Sequence, residues 1–249
     1  MDQELDFYWL GRRNYAPIFE IMQKLVSARR AGKNRDRVLI LEHKPVITLG
    51  RGAHQENILK SRSDLKALGI DVIETGRGGD VTLHAPGQLV VYPILALEKG
   101  RQDVRKYVQM LTRTMNHLLA DYNLKGGEKA GLIGLWVDAN HPQHWPGEDL
   151  VKQPEKIGAI GVRINRWVTS HGFALNFNTD LRLFQFIVPC GIDQFGVSSV
   201  KKITGQSADL KERALLVREP ISNYMQRSAS SLHDLTHLEE SQLHSFFED

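Results

Sequence analysis

The stretch Gln88–Ile94, QLVVYPI, constrains this chain more than any other. Its apolar residues run almost unbroken instead of alternating with polar ones, so a strand here is buried on both faces and its sheet must be covered on both sides. Helices supply such cover. From Val104 the apolar positions Tyr107, Val108, Leu111, Met115, Leu118 and Leu119 recur at i, i+3, i+4 and i+7; Tyr15–Ala31 places Ile18, Ile21, Met22 and Leu25 at helical spacing, with Pro17 suited to a first turn. Ser63–Leu68 reads as a short helix. RVLILEH (37–43), VITLG (46–50), DVIET (71–75) and LIGLWVDA (132–139) read as strands, and KIGAIGVRI with VTSHGFALNF as a hairpin across Asn165-Arg166-Trp167. Residues 140–155 read as a Pro-rich polar loop and the chain from Leu210 as mainly helical, with residues 228–249 expected to be a peripheral C-terminal tail. The 249 residues predict a single α/β (α+β) domain, a mixed β-sheet flanked by helices.

Composition narrows the function classes. With one cysteine, Cys190, no internal disulfide can form, so packing must hold the fold. No apolar run approaches the roughly 20 residues of a membrane helix, and the opening MDQELDFYWL lacks a basic region followed by an apolar one; a soluble, cytoplasmic protein without membrane contact is expected. A net charge of +3, from Lys and Arg scattered without interleaved aromatics, points away from nucleic acid and leaves room for an acidic protein partner. His141 and His144 straddle Pro142 in a polar loop, and neither His84 nor His171 has a partner at metal-ligand spacing, so no metal is expected.

Two segments carry candidate chemistry. RGGDVTLHAPG, directly before QLVVYPI, reads as a shaped loop joining two strands, because paired glycines serve where backbone turns through positive φ or lies against something with no room for a Cβ. GRGG at Gly76–Gly79 could present N–H groups to an anion, but it is neither a P-loop nor a dinucleotide fingerprint, and an ordinary glycine turn is the favoured reading. In FQFIVPCGID, Cys190 stands between Pro189 and Gly191 at the end of an apolar run, which suggests a thiol lifted out of a strand onto a turn; the plainer reading is a small buried hydrophobe. A thiol is a strong nucleophile only as thiolate, and His84, His171 and Lys156 are the candidates to stabilise that form. Lys156 opens KIGAIGVRI, an element end facing loops, where an exposed structural lysine is the alternative.

EHKPVITLGR (42–51), RGGDVTLHAPGQ (77–88), KIGAIGVRI (156–164), SHGFALN (170–176) and PCGI (189–192), in that order between about Leu39 and Val200, resemble the signature blocks of the bacterial lipoyl(octanoyl) transferase family. The resemblance implies a fold like the catalytic domain of biotin and lipoate ligases. It also implies octanoyl transfer from octanoyl-acyl carrier protein to a lysine of lipoyl domains in 2-oxoacid dehydrogenase or glycine cleavage proteins, with no cofactor. By the same resemblance Cys190 is the acyl-thioester nucleophile and Lys156 the lysine that lowers its pKa. The implied substrate-binding residues are Arg77, Gly78, Gly79, Asp80, Val81, Thr82, Leu83 and His84, then Ala159, Ile160 and Gly161, then Gly172, Phe173 and Ala174. Their glycines are expected to clear a narrow tunnel for an acyl chain. Leu83 and Ala85 depart from the family's aromatic and glycine around the motif histidine: Leu83 is expected on an acyl-contacting wall, and Ala85 requires a negative φ. Two other function classes stay open, an ATP-dependent lipoate or biotin ligase and a non-catalytic acyl- or carrier-protein-binding module with an inert Cys190.

Overall fold

The computed structural model of the chain describes residues 4–188 and 195–248. The first half runs β1 (Leu5–Arg13), α1 (Tyr15–Arg30), β2 (Arg37–His43), β3 (Val46–Leu49), α2 (Arg62–Ala67), β4 (Asp71–Glu74), β5 (Val81–His84), β6 (Gln88–Ile94) and α3 (Val104–Leu119). The second runs β7 (Gly127–Lys129), β8 (Leu132–Asp138), β9 (Pro154–Asn165), β10 (Val168–Asn176), β11 (Gly196–Val197), α4 (Val200–Thr204), α5 (Leu210–Leu216), α6 (Arg218–Met225), β12 (Ala229–Asp234) and α7 (Glu240–Glu248). The larger, mixed sheet has the order β12-β1-β2-β6-β10-β9-β8-β7, with β11 beside β9; a smaller sheet has the order β4-β3-β5.

β6 lies between β2 and β10 with every residue buried, as its unbroken apolar run requires. Pro93 has no N–H to give, and the neighbouring strand allows for it. Regular β6–β10 pairing stops at Phe173↔Val91, and the Thr169 hydroxyl donates to Pro93 O at 2.7 Å. On one face Tyr107, Leu111, Met115 and Leu118 of α3 pack with α5 and α6 against Leu89, Val91 and Leu175. On the other, Ile18, Ile21, Met22 and Leu25 of α1 pack against Leu39, Leu41 and Val90. The helical spacing of those residues is what puts them on one stripe.

Three expectations need correction. Residues 81–84 are not loop: they form β5, which pairs with β3 from Val46↔His84 to Leu49↔Val81. Residues 181–186, inside the apolar run before Pro189, form a 3-10 helix. The expected tail at 228–249 is built into the fold, since β12 pairs in parallel with β1 and α7 buries Leu243 and Phe247 against α1 and Tyr8. β1 itself, unassigned by periodicity, pairs in parallel with both β12 and β2. Behind that edge the buried Asp36 carboxylate is shared by Arg29 at 2.5 Å and Arg227 at 2.6 Å, and it also accepts from the Ala96 N–H at 2.8 Å. Among the described residues no helix is long and apolar enough to cross a membrane.

Candidate active site

The larger sheet carries a trough of small residues where β9 meets β10: Ala159 stands opposite Ala174, and Gly161 opposite Gly172. Strand alternation turns Thr82 and His84 of β5 over this trough, closing a narrow cavity of about 40 Å³ that Arg77, Gly79, Asp80, Tyr92 and His171 also line. Ile160 and Phe173 border it too, with side chains packed into the α3-side core. The same alternation turns Val81 and Leu83 away, into a cluster with Ile47, Leu49 and Leu65. Leu83 is therefore core, fully buried, and not an acyl-contacting wall; neither it nor Val81 lines the cavity. Ala85 stays out of the positive-φ region, as its side chain demands.

The glycines that line this cavity are also required by the chain itself. A Cβ on Gly161 would lie 3.1 Å from Arg77 Cδ and 3.2 Å from Gly78 O, one on Gly172 would lie 2.2 Å from Val91 O, and one on Gly78 3.2 Å from Val162 O. These glycines let chain approach chain, and the Gly78 N–H donates to Val162 O at 2.9 Å, tying the loop to β9. Gly79 has φ +85°, a turn that favours glycine. Asp80 holds the neighbouring segment, accepting from the His54 N–H at 2.9 Å and Asn57 Nδ2 at 2.5 Å.

A smaller cavity of about 20 Å³ shares Thr82, Ala159 and Ala174 with the first and reaches Lys156, Gln88, Asn176, Phe184 and Val197. β9 begins at Pro154, two residues before the expected start, so Lys156 lies inside the strand and is buried rather than exposed at an element end. Its orientation comes from a β-bulge. Leu135 pairs with Gly158 while Trp136 pairs with Lys156, leaving Ile157 as the extra residue. Ile157 is in the α3-side core, and a Cβ on Gly158 would point at Met115 of the same core, so two successive residues face one way and Lys156 is returned to the cavity face.

Hydrogen bonds join the two cavities. Ser198 N–H donates to Lys156 O at 2.9 Å. Ser198 O can only accept, so Asn176 presents Nδ2 to it at 3.0 Å and Oδ1 to Gln88 Nε2 at 2.9 Å. Gln88 Oε1 then faces His84 Nδ1 at 2.7 Å; the ring donates from Nδ1 and keeps its lone pair on Nε2. Cys190 lies outside the described residues, but its flanks do not: Val188 N–H donates to Asn57 O at 2.8 Å, and Val197 pairs with Lys156 on β9.

Residues 14–219 match the family described as the lipoyl protein ligase A/B catalytic domain. The chain belongs to that family. An octanoyltransferase of Myxococcus xanthus is 45% identical over 216 residues, covering 87% of this chain and 57% of that protein, so the chain spans little more than half of that relative. One of Solibacter usitatus is 48% identical over 183 residues, covering 74% of this chain and 76% of its own. A bipartite lipoate protein ligase from Thermoplasma acidophilum, part of an archaeal lipoylation system with an E2 lipoyl domain, superposes with a TM-score of 0.63 at 11% identity over 100% of this chain and 93% of its own; the fold is shared.

Within this lipoyl protein ligase A/B domain the sequence reading missed a buried ring cluster beside the cavity. His43 Nε2 is 2.9 Å from the Tyr92 hydroxyl, and the Tyr15 ring lies 4.9 Å from His43 and 6.1 Å from His84. Burial lowers the His84 pKa to about 4, opposed by the Gln88 hydrogen bond and reinforced by Arg77. Burial lowers that of His171 to about 3, with Arg77, His84 and Arg163 adding to the shift. Both rings are neutral at pH 7. His171 also holds φ +55° in the gap where β10 leaves β6, a conformation costly for a non-glycine residue. The Arg77 guanidinium is pinned by Thr48, with Nη2 donating to its carbonyl at 2.6 Å, and by Gly78 O at 3.0 Å. Among the described residues no cluster of His, Cys, Asp and Glu is placed to hold a metal ion.

Proposed function

We propose that the chain transfers an octanoyl group from octanoyl-acyl carrier protein to a lysine of lipoyl domains, in 2-oxoacid dehydrogenase or glycine cleavage proteins, through a thioester on Cys190, in the cytoplasm. The observation that carries the reading is Lys156, a buried lysine on the smaller cavity, which shares Thr82, Ala159 and Ala174 with the larger one that Gly161 and Gly172 line. The octanoyltransferase relatives support octanoyl transfer as the reaction. Lys156, as ammonium, stabilises the Cys190 thiolate; each unit by which a thiol pKa falls corresponds to about 1.4 kcal/mol. The thiolate attacks the donor thioester, a new S–acyl bond forms, and the carrier's thiol leaves with the proton that Cys190 gave up. The neutral amine of the lipoyl lysine then attacks the acyl-Cys190 carbonyl. The C–N bond forms, the thiolate is released, and the amine's proton passes to solvent. Exchange between two thiols is nearly thermoneutral and amide formation runs downhill, so the sequence needs no ATP. The acyl chain lies over the small-residue trough, beneath Thr82 and His84.

The test offers a lipoyl domain two donors in parallel, octanoyl-carrier protein alone and free octanoate with ATP and Mg²⁺, and reads the product by intact mass. Product is expected from the first donor only. Cys190→Ala should abolish both that product and the octanoyl adduct on the enzyme itself. Product from the free acid alone would replace the reading with a ligase. Donor binding without product would leave a carrier-protein-binding module.

A further inference from the structure

We infer that Trp136 is a positioning residue for Lys156, holding its ammonium on the indole face at the cavity wall; the inference rests on the octanoyltransferase reading above. Trp136 is directly opposite Lys156 across β8 and β9, and Lys156 Nζ lies 5.4 Å from the ring centroid. Among aromatic side chains, indole is the strongest partner for an ammonium ion at this range. The ring is itself held: its Nε1–H donates to Leu132 O at 2.9 Å, and the Phe195 ring meets it edge-on at 5.6 Å and 80°. Beside it, Gly134 at φ +145° leaves a lane for the lysine stem, because a Cβ there would lie 2.5 Å from Lys156 Cε and 2.6 Å from Gly158 O. The bulge at Ile157, the lane at Gly134 and the buried indole all act on one side chain.

An aromatic face suits this task. A lysine stem has four carbons and freely rotating donors, so its ammonium needs something to confine it. An indole face can confine an ammonium without itself bringing a negative charge that would neutralise it.

The experiment replaces Trp136 in the full chain, site-specifically, with tryptophans carrying one to four ring fluorines, which drain the π face without changing its shape. The readout is the pH midpoint for alkylation of Cys190, the one thiol in the chain. The midpoint should climb with each fluorine, by about 0.5–1 pH unit over the series, with the melting temperature unchanged. The same series in a Lys156→Met background should be flat. A flat series in the native background, with Lys156→Met alone still raising the midpoint, overturns the inference and leaves the octanoyltransferase reading in place. No shift from Lys156→Met overturns the inference and Lys156's role as the thiolate's partner, while the donor assay above decides the octanoyltransferase reading separately.

Discussion

Asn176→Ala is expected to unfasten the two halves of the site. The Asn176 amide gives one hydrogen bond to Ser198 O at 3.0 Å and takes one from Gln88 Nε2 at 2.9 Å, and all three residues are buried, with Ser198 fully so. Truncation strands one acceptor and one donor. Each unsatisfied buried polar group costs about 1–3 kcal/mol, and Gln88 Nε2 keeps a weaker bond to Leu83 O at 3.3 Å, so a loss of about 2–4 kcal/mol is expected. Equilibrium urea denaturation, with a common m-value for native and variant chains, measures it. Asn176→Asp separates the two bonds. A carboxylate can still accept from Gln88 but cannot donate to Ser198 O and would face it across the same short distance, so this nearly isosteric change should also destabilise. Gln88→Ala combined with Asn176→Ala should show a coupling of about 0.5–3 kcal/mol, because the two share one network. A loss under about 0.5 kcal/mol for Asn176→Ala, or strict additivity with Gln88→Ala, would refute the network and with it the Nδ1–H tautomer assigned to His84.

Other outcomes follow from the same geometry. Leu83→Ala should cost about 2–5 kcal/mol in denaturation without altering acyl-chain-length preference, because Leu83 packs in the small sheet's core and not on the cavity. Ala174→Leu, on the trough, should block octanoyl transfer, measured as loss of lipoyl-domain product by intact mass, while shorter acyl donors keep more of their rate. Stability should fall as pH drops below about 6.5. There the unfolded chain protonates His84 and His171 while the folded chain holds them neutral, down to about 4 for His84 and about 3 for His171. His84→Asn should flatten the upper part of that slope in thermal melts run from pH 7 to pH 4. Asp36→Ala should cost about 3–5 kcal/mol by denaturation, because it leaves the Arg29 and Arg227 guanidiniums facing each other without their shared carboxylate.

What could be read from residue order was whatever repeats over one or two turns of chain. Tyr107, Leu111, Met115 and Leu118 announce α3 by spacing alone, and QLVVYPI announces a strand covered on both faces, from which a mixed sheet between helices follows. The blocks holding Arg77, Lys156 and Gly172 were equally legible, since a family resemblance is a property of local strings. Pairing was not. β1 and β12 became strands because each lies beside a partner more than two hundred residues away, and no local period signals that. β5 looked like loop until β3 gave it a ladder, and only its alternation across the small sheet sends Thr82 and His84 to the cavity and Leu83 to the core. K-I-G-A-I-G carries no mark of the bulge at Ile157, because a bulge is an offset between two strands rather than a feature of either one. That offset, together with the space at Gly134 and the face of Trp136, is what places a lysine expected at a strand's opening inside the strand and buried at the cavity wall.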